Sequence, residues 1–100
     1  KMKTSVRDYK NSSNLKELLN FDFVKDEVLT TPEEISARRE TLYMATVLGN
    51  SYNRKAKIEC ITSAGTELLE GRIWAITNFK IILKGGLNIP INSIAKVDII

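Results

Sequence analysis

Apolar residues recur along this chain with two different periods, and the change of period divides it. Within "TTPEEISARRETLYMATVLGN", residues 30–50, Ile35, Leu42, Ala45 and Leu48 share one face of a 3.6-residue repeat, flanked by Tyr43 and Val47. Thr31 is placed to cap the helix. Pro32 suits its first position, and Glu34, three residues after Thr31, completes a capping box. Glu33 and Glu34 also favour the positive end of the helix dipole. Gly49-Asn50 is the predicted stop. Arg38 and Arg39 fall mid-helix and are expected in solvent, with Arg38 reaching Glu34 one turn back.

After the polar connector "SYNRK" the period becomes two. A first strand is predicted over Ala56–Thr62, with Ile58 and Cys60 on one face, and "SAG" turns the chain. A second, Thr66–Thr77, alternates Leu69, Ile73 and Ala75 against Arg72, Trp74 and Ile76. Twelve unbroken residues rarely stay straight in a small sheet, so Gly71 is the expected bend. A third strand, Phe79–Lys84, sets Phe79, Ile81 and Leu83 facing one way. Gly85-Gly86 is read as a hairpin loop needing positive φ. It leads to a fourth strand, Leu87–Ile91, which Pro90 marks as an edge. "NSI" then turns into a fifth, Ala95–Ile100. A helix followed by five short strands, the second long and bent, predicts a mainly β domain: a small five-stranded SH3-like or Sm-like barrel preceded by an amphipathic helix.

The domain is expected over residues 31–100, preceded by a flexible N-terminal segment over residues 1–30. "KMKTSVRDYKNSSN" is polar and without period. In "LKELLNFDFV", Leu15, Leu18 and Leu19 predict a short helix near residues 15–20, running into an extended apolar stretch at Phe21–Val24. Alone such a helix is marginal, so this segment has to dock on the domain or on a partner.

Composition narrows the chemistry. One hundred residues make one domain with little surface left for a deep catalytic cleft. There is no histidine, which removes imidazole catalysis, imidazole metal sites and imidazole pH switching together. The single cysteine, Cys60, excludes an internal disulfide and a paired-thiolate zinc site; it reads either as a small hydrophobe or as a reactive thiol. Glu67 and Glu70 are the nearest carboxylate pair, and at i, i+3 on a strand they face opposite ways. No catalytic residue, cofactor, metal or small-molecule substrate is therefore expected. No apolar run is long enough for a membrane span, and no charged-then-apolar leader opens the chain, so a cytoplasmic location is the expectation.

The net charge of +3 lies in the second half: residues 1–50 carry eight basic and eight acidic side chains, residues 51–100 seven and four. Arg54, Lys55 and Lys57, with Tyr52 beside them, form a basic-aromatic cluster. It reads either as a phosphate track or as an ordinary solvated connector. Trp74 reads as a stacking platform or partner anchor, or else as a packing residue.

"EGRIWAITNFKIILKG", residues 70–85, resembles the first signature of the Sm-like proteins, in particular the bacterial Sm-like RNA chaperones. Gly71, Ile73, Asn78, Phe79, Ile81, Leu83 and Lys84 fall in step with it. The resemblance covers residues 56–100. It implies subunits that pair edge strands into rings, and single-stranded RNA bound through Asn78 and Phe79. Thr77 stands where the family has aspartate, and "IPINSI" lacks the family's second signature. The layout "ATVLGN…IWA…LKGG…IPI" also looks like that of short bacterial proteins to which no activity attaches. Two functions follow as expectations. One is a non-enzymatic module that binds a protein partner or its own copies through edge strands. The alternative is a single-stranded RNA binder.

Overall fold

Thr31 starts the helix as its chemistry dictates. In the computed structural model, which describes residues 6–8 and 21–100, α1 spans Pro32–Tyr52. The Thr31 hydroxyl accepts from the Glu34 amide at 3.1 Å, and the Glu34 carboxylate accepts from the Thr31 amide at 3.4 Å. The helix does not stop at Gly49-Asn50. It runs to Tyr52 and is ended by Asn53, whose φ of 59° is left-handed, with the Arg54 amide donating to the Leu48 carbonyl.

The strands are β1 (Val6–Asp8), β2 (Ala56–Thr62), β3 (Gly65–Gly71), β4 (Ile73–Ile76), β5 (Lys80–Leu83), β6 (Asn88–Pro90) and β7 (Ile94–Ile99), with a 3-10 turn at Ile91–Ser93 before the last. They form a four-stranded sheet, β1-β3-β2-β7, and a three-stranded sheet, β4-β5-β6. Among the described residues the protein is thus mainly β, with one helix ahead of the principal strands. The predicted second strand breaks at Arg72, directly after Gly71, and passes from one sheet into the other. Among the described residues no ladder joins β6 to β7, so the expected closed barrel is not found. The periodicity gave no strand at Val6–Asp8, which pairs parallel with β3. The helix expected near residues 15–20 lies outside the described residues.

Phe21–Val24 is extended and docks on the end of β2. The Val24 amide donates to Ile61 O at 3.1 Å, and the Ser63 amide donates to Asp22 O at 2.9 Å. Phe21 and Phe23 meet edge to face, 5.9 Å between centroids, and pack against the core. That core joins Leu42 and Ala45 of α1 to the inward residues of both sheets, Ile58, Leu69, Ile73, Ile81 and Ile89 among them. Phe79 is not among them. It precedes β5 and is 80% exposed, so the core face of that strand begins at Ile81. Gly85 and Gly86 have φ of 109° and 105°, as the hairpin required.

Gly49 is glycine for a reason other than stopping the helix. A Cβ there would stand 2.9 Å from the Ile73 carbonyl oxygen and 3.4 Å from that of Arg54. The helix therefore crosses the β3–β4 bend at contact distance, and the Arg72 Nε–H donates to Gly49 O at 3.2 Å. Gly49→Ala gains about 1 kcal/mol of helix propensity but meets an overpacking cost of about 1–3 kcal/mol. The expected outcome in urea unfolding is a net loss of up to about 2 kcal/mol. A variant more stable than the parent would contradict this close crossing.

Candidate functional site

The seven residues singled out from the sequence fall in two groups on different sheets. Tyr52, Arg54, Lys55 and Lys57 surround the α1–β2 connector. Tyr52 is the last helical residue and is exposed. Arg54 donates through Nε to the Ile100 carbonyl at 2.5 Å, tying the connector to the end of β7. Lys55 Nζ lies 3.9 Å from Glu70 Oε2. Lys57 stands opposite Glu70 on β3 and Asp98 on β7, an acid on either side. The cluster is therefore matched locally by carboxylates and by a carbonyl, and is not an open row of cations.

Trp74 and Asn78 are tied to α1 beside β4, and Phe79 follows them in the turn before β5. Trp74 sits where the β4–β5 register shifts, half exposed, and its carbonyl accepts from Asn50 Nδ2 at 3.0 Å. Arg39 Nη2 donates to Thr77 O at 3.0 Å and to Asn78 Oδ1 at 3.4 Å. Helix side chains thus bond one carbonyl within β4 and one just after it. The Thr77 hydroxyl accepts from the amides of Phe79 and Lys80, each at 3.1 Å, and this turn places Phe79 just ahead of β5. From Gly71 to Val97 the chain has no carboxylate but carries Arg72, Lys80, Lys84 and Lys96, a bias that counting by halves conceals.

Among the described residues, β7 and β6 each present an edge with no ladder partner. The Ile100 amide donates to Lys55 O, which fixes the phase of the β2–β7 ladder: Lys96 and Asp98 turn their main-chain groups to β2, Val97 and Ile99 away from it. On β6, the Leu83 amide donates to Leu87 O and the Ile91 amide to Phe79 O, so Asn88 and Pro90 face outward. Pro90 lacks an N–H, which leaves that edge one donor short.

Sequence reasoning misplaced Arg38. It is 6% exposed, and its Nη1 and Nη2 donate to the two carboxylate oxygens of Glu27 at 2.5 Å each, with Nη1 also 3.0 Å from Ile94 O. Its place on the stripe of Ile35, Leu42, Ala45 and Gly49 was the available signal. Glu27 stands in an aperiodic segment and gave none. Cys60 is fully buried with Sγ 3.7 Å from Glu67 O; burial, and then the carboxylates of Glu67 and Glu59, push its thiol up to about 12, so a reactive-thiol role does not fit this position.

The hydrogen bonds from Arg38 hold the Glu27 carboxyl below its ordinary 4.5, against the opposing effect of burial. A depressed carboxyl stabilises the fold fully above its unfolded value, and that contribution disappears as pH falls through the folded one. Urea midpoints of the parent should therefore drop below a pH of about 4.5, where Glu27→Gln declines less steeply; parallel acid limbs would contradict the pair's role. As to relatives, a scan against protein-family models finds no match, and neither curated proteins nor solved structures include one.

Proposed function

We propose that this chain is a non-enzymatic interaction or assembly module of the SH3-like or Sm-like barrel type, which pairs an open sheet edge with a protein partner or with its own copies. The observation that carries this reading is the pair of open edges. The strand series β7-β2-β3, continued through the bend into β4-β5-β6, ends on both sides in strands whose outward groups have no ladder partner among the described residues. An exposed row of N–H and C=O groups is a template for another strand, and main-chain bonding of this kind depends little on salt.

Light scattering after size exclusion, at about ten micromolar, tests the self-pairing arm. A mass several times the 11.3 kDa of one chain, steady as salt rises and restored to one chain by Asn88→Pro, is the expected result. Proline at residue 88 removes only an outward donor, so the internal ladder survives it. An assembly that dissolves as salt rises contradicts edge pairing.

A second reading, Sm-like binding of single-stranded RNA, is favoured by one observation: Phe79 is 80% exposed beside Asn78, in the stretch without carboxylates. A stacked base is worth about 1–3 kcal/mol, so Phe79→Ala should weaken binding of mixed-sequence single-stranded RNA by about tenfold. That binding should also fall steeply with salt. No detectable binding at low salt ends this reading.

A further inference from the structure

Phe79 is the most exposed of the large apolar side chains among the described residues, and the turn that carries it is cationic. Lys80 follows it, and Arg39 bonds Asn78 just before it. Lys80 is itself exposed, stands opposite Pro90 on β6, and has no ion-pair partner among the described residues. The opposite combination stands on the outward face of α1. Pro32, Glu33, Ser36, Ala37 and Glu40 line an open depression of about 430 Å³. Pro32 and Ala37 make it apolar in the middle, and its two charged residues are both acids. Glu33 and Glu40 stand about 10 Å apart along the helix axis, and neither has an ion-pair partner among the described residues. Glu34, by contrast, is held by the helix cap. Met44 and Val47 continue the same face beyond Glu40, and each is about half exposed, so α1 is apolar on the side away from the core as well.

Charge decides the occupant. A depression with two unpaired carboxylates disfavours a phosphate or an acidic segment and suits an aromatic ring beside a cation. The stretch from Arg72 to Lys96 offers that pair at Phe79-Lys80 and contains no carboxylate to oppose it. Both halves of the match therefore belong to this chain. We propose that two copies join head to tail: the Phe79 turn of one seats in the α1 depression of the next, its ring against Pro32 and Ala37 and its Lys80 ammonium between Glu33 and Glu40. Met44 and Val47 widen the apolar area such a contact covers. Because the two surfaces differ, the contact is heterologous and repeats from copy to copy. It uses no sheet edge, so it stands apart from the edge-pairing reading, and its ion pairs make it weaken with salt, as edge pairing does not.

Sedimentation of the full chain, over about 10–300 micromolar and at about 0.05 M and about 0.5 M salt, reads this contact. At low salt the parent should gain mass with concentration, and at high salt the gain should shrink. Lys80→Glu, and Glu33→Lys combined with Glu40→Lys, should each weaken association by at least about tenfold, and Phe79→Ala by about tenfold. All four positions are exposed, so the core is left intact. A mixture of the two charge variants should regain the parent's association, because the acidic turn of one meets the basic depression of the other. That recovery also shows that the variants are folded. Variants that associate like the parent, or losses that mixing does not restore, overturn the contact. The edge reading is untouched by either, since it expects mass that is steady in salt and sensitive to Asn88→Pro. A parent that stays a single chain at every concentration overturns the contact as well, together with the self-pairing arm of the edge reading.

Discussion

A buried guanidinium organises this protein. Arg38 gives up its hydration inside the helix–sheet interface, at a cost of several kcal/mol, and recovers it through two bonds to Glu27 and one to the Ile94 carbonyl. Each partner belongs to a different part of the chain. Glu27 lies in the segment that precedes the helix, Arg38 in the helix, and Ile94 at the start of β7. One side chain therefore fixes the approach to α1, the seat of α1 and the first residue of an edge strand. The leading segment follows the same path by main-chain bonds, Val24 to Ile61 and Val28 to Asn92.

The second constraint is the crossing of α1 over the bend between β3 and β4. A twelve-residue strand cannot serve one small sheet throughout, and the break at Arg72 lets it serve two. Gly49 allows the helix to lie directly on that break. Asn50 and Arg39 then reach the carbonyls of Trp74 and Thr77, within β4 and just after it. Among the described residues, β6 and β7 are sheet ends open to another strand. Pro90 weakens the first of them, and the second opens into a cleft. The function proposed for this chain rests on these open edges.

Much of this could be read from the sequence, and what could not had physical causes. The capping box at Thr31, the bounds of β2, the bend after Gly71 and the glycine hairpin are local events, decided by neighbours in the chain. Arg38 was misread because its partner lies eleven residues upstream in a segment without periodicity. Gly49 looked like a helix stop because a close contact with Ile73 leaves no mark in the sequence. Phe79 looked like a core residue because alternation was extended one position too far, past a turn held by the Thr77 hydroxyl. The basic cluster at residues 54–57 looked available because Glu70 and Asp98, which flank Lys57, arrive from other strands.

A double-mutant cycle on Arg38 and Glu27 tests the organising role of this pair most directly. Arg38→Met, Glu27→Gln and the double variant are compared with the parent by urea unfolding at neutral pH. Breaking a buried pair from one side costs about 3–5 kcal/mol, and Glu27 keeps part of its side chain exposed, so about 3 kcal/mol is expected for each single change. The double variant should lose less than the sum by at least about 1.5 kcal/mol, since removing both partners strands neither charge. Losses that add to within about 0.5 kcal/mol would mean the two residues act independently, and the buried guanidinium would then not be what joins the leading segment, the helix and β7.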